Sequence, residues 1–272
     1  MSLHRDPTEG GASNGGTENG EEGAHIVHNE APEQAVPRPA ATVMLVKDAP
    51  AGLLVLMARR SARSAFMPDA YVFPGGAVEP ADSDREWLAD IDRFPSGVEP
   101  AVAIAALREL FEEAGILFVR DATGAAPASH DVVHARQELR AAVTFRRILE
   151  RHGWQLRTGS LVYYSRWITP PVRVSRRFDT RFFVAAAGDE HVATADAEEM
   201  HDGVWIAPAE ALRRAQQGEW NIVFPTLRHL ERLAQFRSAV ALLDHARSRR
   251  PRAVMPIVHD GVIELPRELE EW

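Results

Sequence analysis

The chain is predicted to be an α/β protein, and three stretches of its 272 residues carry that prediction. Two short apolar runs, ATVMLV (41–46) and GLLVLMAR (52–59), flank a Pro50-Ala51-Gly52 turn and read as a β-hairpin. RELFEEAGI (108–116) reads as a helix with acid on one side, Leu107, Leu110 and Ala114 on the other, and Gly115 where helices often end in a left-handed turn. TRFFVA (180–185) has the apolar density of a buried strand. Ala103 and Ala106 add small residues that let the acidic helix approach a sheet closely.

The remaining elements follow in chain order. Residues 1–38 are rich in Gly, Glu, Asn, Pro and Ala and too poor in large apolar residues to offset ordering entropy, so a disordered tail is expected. His4, His25 and His28 are scattered within it. After the hairpin come Arg59, Arg60 and Arg63, then Phe73-Pro74-Gly75-Gly76, a strand end running into a glycine turn. DREWLADIDRF (84–94) spaces Trp87, Leu88, Ile91 and Phe94 as a short helix capped by Asp82 or Ser83, with Trp87 packing inward. Pro100 suits the first turn of the acidic helix. Leu117–Val119 reads as a strand, and 132–153 as one or two helices ending at Gly153. Strands are expected on both sides of Thr169-Pro170-Pro171. VWIAPAEAL (204–212) reads as strand into helix, and 218–236 leads into a helix extended to about Arg247. Asp260-Gly261 signals a final hairpin within 252–265. No internal repeat is evident.

Composition sets limits. The formal charge of −8 argues against a general nucleic-acid or anionic-membrane partner. With no cysteine, disulfides, thiol catalysis and zinc ribbons are excluded. No apolar run has the length of a membrane span. Neither a basic-then-apolar leader nor a peroxisomal tripeptide at Glu270-Glu271-Trp272 is present, so a cytoplasmic location is expected. Homodimerisation is left open.

Glu109, Glu112 and Glu113 stand at i, i+3 and i+4, which places their carboxylates within an arc of about 100° on a helix. Three like charges repel one another, and a hard cation such as Mg²⁺ or Mn²⁺ gives a reason to keep them together. A solvated acidic face is the plainer alternative. Surface acids of this kind need no unusual pKa, so activity at neutral to alkaline pH is expected.

Gly76 and RELFEEAGI together resemble the two halves of the Nudix box, GX5EX7REUXEEXGU. Arg108, Glu109, Leu110, Glu112, Glu113, Gly115 and Ile116 fit every fixed position of its second half. The first half departs: the acid after Gly76 is Asp82 instead of Glu, and 25 residues separate it from Arg108 where the pattern has seven. Two blocks outside the box, FMPDAYVFPGG (66–76) and WITPPVRVSRRFDTRFF (167–183), look like the acyl-CoA diphosphatase branch of the Nudix family. The CoA signature LLTxRSx3Rx3GxFPGG is met in part, by Leu53, Leu54, Arg60, Ser61, Phe73, Pro74, Gly75 and Gly76.

The resemblance implies a Nudix α/β/α sandwich with a mixed sheet over 39–230, a helical insert at about 83–99, and a C-terminal helix and hairpin (231–272) packed on it. It implies Mg²⁺ or Mn²⁺ on Glu109, Glu112, Glu113 and the Gly76 carbonyl, with Glu109 as ligand or base and Arg108 holding a carboxylate in place. Glu199, in an acidic loop before Trp205, is a further candidate for metal or water. Arg60, Arg63, Gly75 and Gly76 would meet a phosphorylated small-molecule substrate. The expected reaction is hydrolysis of CoA or acyl-CoA to 3′,5′-ADP and (acyl-)4′-phosphopantetheine. ADP-ribose, nucleotide sugars or nucleoside triphosphates are alternative substrates, and a non-catalytic binding module is an alternative of another class.

Overall fold

The computed structural model describes residues 35–61, 67–89, 91–171, 176–188, 201–260 and 262–269. The first hairpin forms as expected: strand β1 (Arg38–Ala49) pairs antiparallel with β2 (Gly52–Arg59) across a two-residue turn. Two short strands follow, β3 (Ala70–Val72) and β4 (Gly75–Ala77). Helix α1 (Pro100–Ala114) starts on its proline and stops at Gly115, whose φ of 66° is left-handed. Next come β5 (Val119–Arg120), α2 (Ser129–Arg140), α3 (Phe145–His152) and β6 (Gln155–Leu156). The long strands β7 (Val162–Ile168) and β8 (Phe178–Ala186) flank the Thr169-Pro170-Pro171 break. The chain continues through β9 (His201–Ile206), α4 (Pro208–Gln216), β10 (Asn221–Ile222), α5 (Phe224–Leu233) and α6 (Ala239–Ser248). It closes with β11 (Ala253–Val254) and the hairpin β12 (Ile257–His259) and β13 (Val262–Glu264).

The main sheet is mixed and runs β10-β3-β2-β1-β8-β7-β11, with β4 on β1 and β9 on β2. β1 lies parallel to β8 and antiparallel to β2. Period-2 alternation gives each strand two buried faces. Ala41, Val43 and Leu45 of β1, with Phe183 and Ala185 of β8, face a core shared with α1, α2 and α3. Met44 and Val46, with Phe182 and Val184, face the other core, filled by α4, α5 and α6. These layers make the expected α/β/α sandwich. Where α1 meets β1, Ala103 and Ala106 are fully buried beside Leu107, Leu110 and Phe111.

Two expectations are corrected. In place of the helix expected over 84–94 stands one 3-10 turn, Arg85–Ala89, preceded by another at Pro80–Ser83. Asp82 is not free to cap a helix there, because its carboxylate is committed to Arg108 and to the Glu79 amide. Trp87 does pack inward, 2% exposed, with its indole N–H donating to the Ala81 carbonyl at 2.9 Å. The helix extended to Arg247 is two helices: α5 ends at Leu233, and Ser238 starts α6 by accepting from the Ala241 amide. The Ala239 amide, left over at that new N-terminus, donates to Asp48 at 2.7 Å and ties α6 to the end of β1.

Candidate active site

The acidic face of α1 lies against the glycine strand β4, and Arg108 is the hub between them. Its guanidinium is nearly buried, with 7% of the side chain exposed. Nε and Nη2 donate to the two oxygens of Asp82 at 3.0 and 3.1 Å, a bidentate pair with a carboxylate only 1% exposed. Nη2 also donates to the Ala77 carbonyl at 3.0 Å, and Nη1 to Glu109 Oε1 at 3.0 Å and Glu112 Oε2 at 2.8 Å. Burial pulls Arg108 down in pKa, but the Asp82 bonds and the Glu109 and Glu112 charges more than reverse this, so it stays protonated. Arg108 therefore holds carboxylates in place. Asp82, one methylene shorter than the acid of the family pattern, anchors that arginine and caps the Glu79 amide at 2.8 Å. The sequence left its role open.

The glycines fit the same frame. The Gly75 amide donates to Glu113 Oε2 at 2.8 Å. A Cβ on Gly76 would sit 2.3 Å from Glu109 Oε1, so only glycine lets that carboxylate lie against the strand. A Cβ on Gly75 would meet the Ala41 carbonyl at 2.3 Å and Thr42 Cα at 2.7 Å, the backbone of the neighbouring strand.

The acids are not ordinary surface groups, which corrects one expectation. Glu109 is pushed up to about 7, first by burial and then by the Glu112 charge, with Arg108 opposing. Glu112 is raised too, by burial first, with Glu79 and Asp82 adding repulsion. A face with this surplus of desolvated carboxylate oxygen suits a hard divalent cation better than solvent. Arg108 and the Gly75 amide hold the carboxylates apart, so convergence on one ion requires them to reorient.

The other predicted residues fall in different places. Arg60 lines a largely apolar cavity of about 240 Å³ behind Gly75, walled by Phe73, Trp167, Phe178, Phe182 and Phe224. Its wall also carries Thr42 and Thr180, and none of the predicted carboxylates among the described residues lines it. Arg63 and Glu199 lie outside the described residues. In the WITPPVRVSRRFDTRFF block, Arg177 donates to the carbonyls of Thr169 and Ala35, and Asp179 pairs with Arg166 and Arg181. Glu79 was not foreseen. It lines a second cavity beside Glu112, Asp82 and Arg108, and the Glu-x-x-Asp spacing of a capping box was the signal that could have found it.

Fold and site together define a Nudix-type domain, and comparison with known proteins agrees. The sequence profile described as the NUDT19 Nudix domain matches residues 31–99 and 92–233. The chain belongs to that Nudix hydrolase family. It is 32% identical over 237 residues to the acyl-coenzyme A diphosphatase NUDT19 of Gallus gallus, covering 68% of this chain and 62% of that protein. It is 29% identical over 227 residues to the Xenopus laevis protein of the same name, covering 67% and 60%. This chain thus spans somewhat under two thirds of the length of those relatives. Among solved structures, a NUDIX hydrolase from Alicyclobacillus acidocaldarius matches with a TM-score of 0.63 and 31% identity, covering 77% of this chain and 96% of that one.

Proposed function

We propose that the chain hydrolyses the diphosphate of CoA or acyl-CoA, releasing 3′,5′-ADP and (acyl-)4′-phosphopantetheine. The observation that carries this reading is the junction at β4. Gly75 and Gly76 bring the desolvated acids of α1 to one side, and Gly75 borders an apolar cavity on the other. A substrate with a charged diphosphate between an adenine nucleotide and a greasy arm suits such a junction. The names of the relatives point the same way.

Glu109, Glu112 and Glu113, with the Gly76 carbonyl, would hold Mg²⁺ or Mn²⁺. When bound, such an ion neutralises diphosphate charge and acidifies water. Glu109 would serve either as a metal ligand or as the base that accepts a proton from the attacking water, as the resemblance implies. The water oxygen bonds to one phosphorus, the bridging P–O bond breaks, and the bridging oxygen leaves with the other phosphate. Arg108 would anchor Glu109 and Glu112 beside one another as they turn toward the ion. Arg60, at the cavity wall, would meet a phosphate of the substrate, as the resemblance implies. Arg63 and Glu199 keep the roles the resemblance implies for them. A cytoplasmic location is part of this reading; no helix among the described residues is long and apolar enough to cross a membrane.

The test is a mass-spectrometric hydrolysis screen with Mg²⁺ or Mn²⁺. CoA and several acyl-CoAs should yield 3′,5′-ADP well above the turnover of ADP-ribose, nucleotide sugars or nucleoside triphosphates. A preference for ADP-ribose or triphosphates would overturn the substrate assignment, and binding without any turnover would favour the non-catalytic module.

A further inference from the structure

The helical pair that follows α1 gathers a second set of ligand-type side chains. His134 and Glu138 stand one turn apart on α2 and so share a face. His152 is the last residue of α3, and Gly153 behind it takes a left-handed φ of 64°. The short 141–144 connection folds α3 back along α2, and the His152 ring meets the α2 face. Its Nε2 lies 3.0 Å from Glu138 Oε2, and its ring centroid lies 5.6 Å from that of His134. One donor atom from each of the three residues falls within 4.8 Å of the others, the only such His, Cys, Asp or Glu trio among the described residues. An ion pair between His152 and Glu138 accounts for two of them. It does not involve His134, which is exposed, meets the His152 ring edge-on and brings a donor nitrogen within the same 4.8 Å.

The surroundings are arranged for a ligand set. Trp154 stacks on His152 at 4.2 Å and 19°, which fixes the plane of that imidazole. Arg151 donates to the other oxygen of Glu138 at 2.7 Å, leaving Oε2 toward the histidines. The side chains of Glu138 and His152 are only 12% and 16% exposed.

We propose that His134, Glu138 and His152 form a binding site for a borderline divalent transition ion, Zn²⁺ foremost, distinct from the acidic face of α1. Two imidazoles and one carboxylate suit Zn²⁺, whereas carboxylates alone select Mg²⁺ or Mn²⁺. Bonds of about 2.0–2.1 Å place tetrahedral donors roughly 3.4 Å apart, so His134 must close in while the 3.0 Å contact of His152 with Glu138 opens slightly. The exposed His134 can supply that movement by changing rotamer. Such an ion would pin α2 to α3 and keep a position open for water or another ligand. The site owes nothing to the hydrolytic reading, so the two stand or fall separately.

The test uses the full chain, stripped with chelator and titrated with Co²⁺ as a spectroscopic stand-in for Zn²⁺. One equivalent should give the intense visible absorption of a low-coordinate nitrogen-ligated ion, displaced by Zn²⁺. H134A should weaken Co²⁺ and Zn²⁺ binding at least about tenfold while Mg²⁺-supported hydrolysis is unchanged. The E112Q/E113Q double variant should keep the band. His134 is exposed, so H134A folds, and equal melting temperatures of the stripped proteins will verify that. An absent band, or one that survives H134A, overturns the proposal; loss of the band in E112Q/E113Q would move the ion to α1 and overturn it equally.

Discussion

Replacing Asp82 by asparagine removes one charge and one acceptor from the most enclosed ion pair near the site. Both oxygens are committed: Oδ1 to Arg108 Nε, Oδ2 to Arg108 Nη2 and the Glu79 amide. An amide nitrogen at either position faces a donor with another donor. Asp82 and Arg108 are 1% and 7% exposed in their side chains, so water cannot repair the loss. Breaking a buried pair from one side costs about 3–5 kcal/mol. Arg108 keeps Glu109, Glu112 and the Ala77 carbonyl, so the lower end, about 3 kcal/mol, is expected. For a domain of this size that lowers the melting temperature by on the order of 10 °C. Arg108 would also lose its fixed position, loosening Glu109 and Glu112 and weakening divalent-ion binding about 10–100-fold. The assays are thermal unfolding without metal and Mg²⁺-dependence of CoA hydrolysis. If D82N melts within about 1 °C of the unmutated chain and needs no more Mg²⁺, Asp82 is not the anchor of Arg108.

Three other outcomes follow from the same geometry. G75A should destabilise by about 2–3 kcal/mol in urea unfolding, because its Cβ meets immovable backbone of β1; G76A should melt nearly normally, because a flexible Glu109 can yield, yet lose at least about tenfold in turnover. Glu109 has a folded pKa of about 7 against 4.5, so its share of stability is present below pH 4.5 and lost as pH rises through 7, about 3 kcal/mol in all; Mg²⁺ should therefore raise the melting temperature more at pH 8 than at pH 5.5. His229, fully buried between Ser165 and the Pro225 carbonyl, is held down to about 3 by burial. Its depressed pKa makes stability present above pH 6.5 drain away as pH falls toward 3, and H229F should flatten that part of a pH–stability curve.

How far the sequence could be read depended on whether the deciding interaction was local. Pro100 and Gly115 bound α1 through their own backbone preferences, and the alternation in β1 and β8 assigned faces without any tertiary knowledge. The spacing of Glu109, Glu112 and Glu113 put them on one side, and the glycine turn put Gly75 and Gly76 beside them. Asp82 was not legible, since its partner lies 26 positions away and the competing local reading, a helix cap, was equally good chemistry. The break between α5 and α6 escaped for a similar reason: Ser238 could equally continue an amphipathic helix until Asp48 took the Ala239 amide. The rise of Glu109 to about 7 came from desolvation, which helical spacing does not report.

The most direct test of the central claim is CoA hydrolysis by the unmutated chain, E112Q and E113Q, measured side by side at saturating Mg²⁺ and again at saturating Mn²⁺. Each substitution leaves shape intact and removes one charge from the face of α1. The account predicts 3′,5′-ADP and 4′-phosphopantetheine from the unmutated chain and a loss on the order of 10²-fold or more in each variant. Equal rates in all three would contradict it, because the acidic face of α1 would then have no part in the chemistry.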